Sequence, residues 1–488
     1  MTTTFKILLR TLILSFTAVI AIGFSACNDD FFSTNPKYKL SFSTDTLAFD
    51  TVFTTLGSAT AKILVYNKNN VALKISHLGI AKGRNSFFHI NVDGSVSADN
   101  QFKDIEIRAK DSMYIFVAVT VNPIESNSPF IQDSIVFTTN GVNQNIKLQA
   151  YGQDMIPLKN KYVLNDTTLT DKKPYLIYGH LTIDSAKTLT LEPGTKIYFH
   201  NNANLIVYGN LKAEGTAEKP IIMRGDRLDK IKFVNPVPYN FVAGQWGGVY
   251  LLWKGGNHVL KHVNMNSGYV GLYYYNNDRN KLPNLEISDC KIHNFLLYGL
   301  IVQNGNVTVT NTEISNTSSY SVYLNGGKHT FIQSTIANYF NSSVQSVSRD
   351  TKPAVMIMDL NRVAPMQTVF LNCIISGSSE NEFSLASKFL DLYDGKFDHC
   401  YIRKTKASNL SQFTNIRWFD KMDSIVFKST KYDEIKGIYY NFMPDSVSPA
   451  RGLANPDVIS QYHLEYDLNG NLRGNKPDAG AYQWQPTK

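Results

Sequence analysis

The sequence predicts an all-β protein in which a β-sandwich precedes a right-handed parallel β-helix. Three observations lead there. Of the 488 residues only 18% are charged and 12% are aromatic, with 27 Tyr and 28 Phe, and branched and aromatic side chains suit pleated surfaces. Long stretches rich in Ala, Glu and Lys, the usual sign of helices, are absent. A six-residue segment returns along the second half of the chain at intervals of one coil turn, and such internal repetition marks a stacked architecture. The length also exceeds one ordinary core, so two or more units are expected unless a repeat extends one of them.

Residues 1–26 read as a targeting segment. Lys6 and Arg10 give a positive start, and an apolar run from Thr11 to Ala26 ends at Cys27. That run is short for a bilayer-spanning helix and suits a secretory leader. Phe24-Ser25-Ala26-Cys27 resembles a lipobox, although Phe24 stands where that family usually has an aliphatic residue. The resemblance implies lipid attachment at Cys27 and a membrane as partner, because several acyl chains hold more firmly than one. Asn28-Asp29-Asp30 resembles the export signal of surface lipoproteins of the Bacteroidetes, which implies an outer-membrane, cell-surface location. Residues 27–39 form a polar tether.

The formal net charge is +8, and loss of Lys6 and Arg10 with the leader leaves +6. The remaining basic residues are scattered and match no nucleic-acid module, so no nucleic-acid partner is expected. Cys27, Cys290, Cys373 and Cys400 include no C-x-x-C pair, which argues against a zinc or redox motif.

Residues 40–154 contain alternating runs at 61–67, 103–107, 112–119, 133–138 and 144–150, with turn residues Asn69-Asn70, Asp93-Gly94 and Asn140-Gly141. Roughly seven short strands fit an immunoglobulin-like β-sandwich. Val65-Tyr66-Asn67 followed by Leu73-Lys74-Ile75 resembles bacterial envelope sandwich domains, which implies a spacer or docking module.

Residues 155–445 carry the repeat. The segments ending at Met265, Ile292, Ile314, Ile336, Ile375 and Ile402 are spaced 27, 22, 22, 39 and 27 residues apart. A step of 22 to 27 is one turn of a right-handed β-helix, and 39 is a turn with an inserted loop. The fourth position reads Val263, Cys290, Thr312, Ser334, Cys373 and Cys400, a column of small residues that assigns three cysteines to packing. Asn294, Asn316 and Asn338 recur two residues after the segments ending at Ile292, Ile314 and Ile336 as a turn device. Leu189-Thr190-Leu191-Glu192-Pro193-Gly194-Thr195 resembles the opening turns of pectate-lyase-like helices. Gln245-Trp246-Gly247-Gly248-Val249 resembles a corner of envelope β-helices where glycine permits close strand approach. Residues 446–488, with Ser448-Pro449-Ala450, Asp467 to Arg473 and Asp478-Ala479-Gly480-Ala481-Tyr482, resemble the closing segment of secreted bacterial β-helix proteins, with Gln483 in place of the usual acid.

Function is less constrained. No Gly-His-Gly exists, and the acid pairs Asp226/Asp229 and Asp391/Asp394 show no convergence in sequence, although general acid–base work needs two groups on one bond. Catalytic residues are therefore unassigned. His258 and His262, four apart on a strand, lie too far apart to share a metal. Aligning Gly248–Leu251, Gly271–Tyr274, Gly299–Val302 and Ser321–Leu324 turns Val249, Leu272, Leu300 and Val322 inward. The same alignment turns Tyr250, Tyr273, Ile301 and Tyr323 outward, and Tyr275 joins them beside Asn276, Asn277 and Asp278. Such a strip can stack sugar rings, or it can be a covered sheet face. Three functions remain open: a non-catalytic glycan-binding or adhesive scaffold, a polysaccharide lyase or glycoside hydrolase on acidic glycans, and a structural envelope protein. No cofactor is expected, except calcium if the chain is a lyase.

Overall fold

The computed structural model describes residues 31–486 apart from 55, 123–128, 232–236, 253–255, 277–283, 343–346, 360–365, 387–393, 406–410, 420–424 and 434. Cys27, the leader and the acidic stretch lie outside the described residues, as do Asn277, Asp278 and Asp391. Strands dominate, and Pro456–Tyr462 is the α-helix among the described residues. None of the described helices is long and apolar enough to cross a membrane. The chain divides after Gln153 into two compact units.

The first unit is two sheets of five and six strands around one core that includes Ile63, Val65, Phe88, Ile115, Val117, Phe137 and Leu148. Strict alternation builds it. Along Ser112–Val119 the side chains of Met113, Ile115, Val117 and Val119 are buried while Tyr114 and Phe116 face solvent. The count exceeds the roughly seven strands expected, because two-residue strands such as Ser41–Phe42, Ser95–Val96 and Gln101–Phe102 are too short to leave a pattern. Asn140 and Gly141 have φ of 53° and 74° and join Phe130–Thr139 to Val142–Gln153 in a two-residue hairpin, where both central positions require positive φ. The motif residue Asn67 is fully buried. Its amide donates to the carbonyls of Val71, Ile107 and Arg108 at 2.8, 3.1 and 2.9 Å, so it ties the strand end to two loops.

The second unit is built from long parallel sheets of 18 and ten strands, consistent with a β-helix. Each turn contributes three strands. In one turn these are Gly248–Leu251, His258–Lys261 and Val263–Asn266, which we call faces A, B and C. The next turn places Val270–Tyr275, Asn284–Ser288 and Lys291–Phe295 in parallel register on the same faces. One residue turns the corner from B to C. His262, Asp289, Asn311, Gln333, Asn372, His399 and Asn415 occupy it, with φ between 45° and 54°.

The interior is stacked columns. Val249, Leu272, Leu300 and Val322 form one, and Leu251, Tyr274, Val302 and Leu324 another, all at most 2% exposed. Phe331, Phe370, Phe397 and Phe413 stack along face B with centroids 4.5, 5.3 and 4.5 Å apart. The Tyr274 ring fits because residue 305 is glycine: a Cβ there would lie 2.4 Å from the ring. Trp246 is buried, stacks on Phe199 at 4.0 Å and donates its indole N–H to Asn266 O. A Cβ at the adjacent Gly247 would lie 1.8 Å from the Asn204 side chain, the close approach expected of that corner.

Cys290, Cys373 and Cys400 are free and fully buried in the small-residue column. Of the three asparagines, Asn294 and Asn316 take positive φ whereas Asn338 does not. Asn338 instead accepts Thr317 N–H and donates to Thr317 Oγ1 and Ser319 O. The final segment packs along face C. Tyr482 bonds Glu313, Ala481 N–H reaches Thr335 Oγ1 at 2.9 Å, and Asn455 exchanges two bonds with Asn372.

Candidate functional site

Face A positions the tyrosines. Tyr250 pairs in register with Tyr273, Tyr273 with Ile301, and Ile301 with Tyr323. Their neighbours along each strand fill the interior, so alternation obliges these side chains to point outward. Tyr250, Tyr273, Tyr275 and Tyr323 are all half-buried, while Ile301 is only 7% exposed and interrupts the strip. Asn276, expected beside Tyr275 on the surface, is 3% exposed, because alternation after outward-facing Tyr275 puts it on the inner side.

The rings are mutually close. Centroids lie 5.8 Å apart for Tyr250–Tyr273 and 6.4 Å for Tyr273–Tyr275, within the range of favourable aromatic pairs. Two further tyrosines complete the strip. Tyr320 lies 5.6 Å from Tyr323 and stacks on Tyr298 at 6.1 Å with planes 8° apart. Sequence alignment begun at Gly299 and Ser321 missed both. Each sits two residues before an inward side chain, Leu300 or Val322, so strict alternation extended backward would have counted both as inward and could not have found them.

Burial raises the pKa of Tyr250. It also raises those of Tyr273 and Tyr323, with smaller contributions from neighbouring phenols. The hydroxyls therefore stay neutral and can donate at physiological pH. Lys352 Nζ lies 5.3 Å over the Tyr320 ring, and its hydrogen bond to Asp350 raises its pKa, which keeps a cation at one end of the strip. Three turns at about 4.8 Å each separate Tyr250 from Tyr323, so the strip is roughly 14 Å long. Such a surface can stack extended, hydroxylated chains. Among the described residues it holds no paired carboxylates.

Of the acids singled out in the sequence, Asp391 lies outside the described residues and the other three are each bonded to a different side chain. Asp226 bonds His200 at 2.6 Å, whereas Asp229 holds Arg227 through two bonds at 2.7 and 2.6 Å. Asp394 accepts from the Gln367 amide at 2.8 Å. His258 faces the interior, where burial lowers its pKa to about 4, and His262 stands at a corner. Among the described residues no cluster of three or more His, Cys, Asp or Glu could hold a metal.

No protein-family profile matches the chain. A 72-residue stretch, 14% of the chain, is 38% identical to Protein bark beetle of Drosophila melanogaster, and the chain spans only 2% of that protein's length. Solved structures resemble parts of it weakly. A PapD-like domain of human CEP192 has a TM-score of 0.17 at 7% identity, over 26% of this chain and 93% of that one. A family 123 glycoside hydrolase from Clostridium perfringens has 0.18 at 9% identity, over 25% and 30%. The E. coli chaperone DraB has 0.17 at 10% identity, over 24% and 55%.

Proposed function

We propose that this chain is an envelope lipoprotein, anchored through Cys27 at the outer-membrane surface, whose right-handed parallel β-helix binds glycan along face A without turning it over. The first unit serves as an immunoglobulin-like spacer, and the region beyond it follows the pectate-lyase-like pattern. The right hand follows from the strong preference of parallel crossover connections. The observation that carries the binding function is the in-register strip of Tyr250, Tyr273 and Tyr323, extended by Tyr275, Tyr298 and Tyr320. Half-buried tyrosines keep one ring face and a neutral hydroxyl available to a sugar. Asp226 and Asp229 are each bonded to a basic side chain, His200 and Arg227, and this engagement supports binding over hydrolysis or elimination.

Incubating the purified chain with neutral and acidic polysaccharides tests this. Retention on at least one glycan, lost in Tyr273→Ala and Tyr323→Ala, is the expected result. New reducing ends or absorbing unsaturated products would establish the lyase or hydrolase alternative, and no retention on any glycan would leave a structural envelope role.

A further inference from the structure

Away from the strip, a cleft of about 640 Å³ opens between the B–C corner and the closing segment. Lys261, His262, Asn264, Asp289 and Lys291 line it from the coil, and Tyr466 lines it from the other side. Tyr466 is 61% exposed, so its ring is free to be covered. Asn264 and Lys291 are register partners on face C, and His262 and Asp289 are successive corner residues.

The acids at this cleft are already engaged. Asp467 accepts the backbone N–H groups of Asn469, Asn471 and Gln483 at 2.9, 2.7 and 2.8 Å, so both its oxygens are taken up by its own loop. Asp289 is held by a chain running inward: Asn311 Nδ2 donates to it at 2.7 Å, and buried Arg473 donates to Asn311 Oδ1 at 2.8 Å. Its second oxygen lies 3.9 Å from His262 Nε2. The donors left facing the cleft are therefore the Lys261 and Lys291 ammonium groups and the His262 and His463 rings, beside an open aromatic ring and the Asn264 amide.

We infer that this cleft is a second ligand site, which takes an anionic sugar unit bearing a carboxylate or a sulfate. The ring lies against Tyr466, the anion between Lys261, Lys291 and His262, and the hydroxyls on Asn264. The inference stands apart from the face A strip, since the two sites share no residue.

Calorimetric titration of the full chain with a trigalacturonate, a sulfated disaccharide and a neutral galactose disaccharide tests it. At least one anionic probe is expected to bind ten or more times tighter than the neutral one, and to weaken as salt rises. Binding of one anionic probe alone identifies the substituent. Lys261→Gln and His262→Asn are each expected to weaken binding at least fivefold, while Lys328→Gln, an exposed lysine outside both sites, leaves it unchanged. Asn occupies the same corner at Asn311 and Asn372, so His262→Asn keeps the backbone, which an unchanged melting temperature verifies. Equal affinity for the neutral probe, no binding of either anionic probe, or full affinity in both cleft variants overturns the cleft site. Loss of binding in Tyr273→Ala alone moves the ligand to the strip and likewise overturns it, leaving the proposed function intact.

Discussion

The backbone N–H of Cys373 donates to Sγ of Cys400, one turn further along the coil, at 3.3 Å. The Cys400 thiol donates in turn to the carbonyl of Asp398 two residues before it. The same bond joins Val263 N–H to Cys290 Sγ, Cys290 N–H to Thr312 Oγ1, and Thr312 N–H to Ser334 Oγ, at 3.4, 3.2 and 3.4 Å. The column thus calls for a small side chain that both accepts and donates, and Cys, Ser and Thr meet that requirement.

Cys290→Ser should therefore change stability little, because the hydroxyl keeps both bonds. Cys290→Val, nearly equal in size, leaves the Val263 N–H buried without an acceptor and should cost about 1–3 kcal/mol. Urea midpoints of the two variants check this. A larger loss in the serine variant would mean that packing, rather than bonding, selects the residue.

Burial pushes the Cys290 thiol up to about 12 and raises the Cys400 thiol as well. Thiolate is the reactive form. Alkylation of Cys290, Cys373 and Cys400 at pH 8 should be negligible in the folded protein and should appear together on unfolding. Mass spectrometry after a denaturant series tests it, and native labelling of any one of the three would contradict it.

Inside face B, His258 and His329 are each 1% exposed, and burial lowers both pKa values to about 4 from the usual 6.5. The unfolded chain therefore binds more protons between those values, and stability present above pH 6.5 is lost as pH falls toward 4. The loss reaches roughly 3 kcal/mol per histidine. Chemical denaturation at pH 7, 5.5 and 4.5 should show the decline, with a shallower slope in His258→Leu, whose neighbour in the column is Leu285.

Arg349 and Glu382, with side chains 4% and 0% exposed, meet at 2.5 Å. Glu382 also accepts the N–H groups of Ala354 and Ser379, and Arg349 donates to the Lys352 carbonyl at 2.8 Å. The pair fastens the inserted loop that carries Lys352 beside the strip. Glu382→Ala should cost about 3–5 kcal/mol, because it leaves a buried guanidinium uncompensated. Limited proteolysis should then cut within residues 341–354 before the rest of the coil.

On the strip, Tyr273→Ala and Tyr323→Ala should each reduce glycan affinity about three- to tenfold, the worth of one aromatic contact. Ile301→Ala should do little, since that residue is buried. Affinity electrophoresis in polysaccharide gels reads all three.

The coil was legible in the sequence because its contacts are near-periodic: one alignment of six segments placed the cysteine column and a second of four placed the inward residues of face A, whereas neither marked the B–C corner. The contacts of the closing segment were not. Tyr482 and Glu313 stand 169 positions apart, and no repeat connects them. The cleft was hidden for the same reason, since one wall comes from the coil and the other from residues 463–470. In the first unit the long strands were readable, and the two-residue ones were not.

The corner between faces B and C has a consequence for how such a coil could diversify. Its left-handed backbone is tolerated best by Asn, Asp and His among residues with side chains, and these fill six of its seven places. A purely conformational demand thereby lays amides, carboxylates and imidazoles in a row at intervals of about 4.8 Å. Exchanges among the three preserve the backbone while rewriting the charge of the row. A ledge of this kind can change its ligand one residue at a time without the fold having to be solved again.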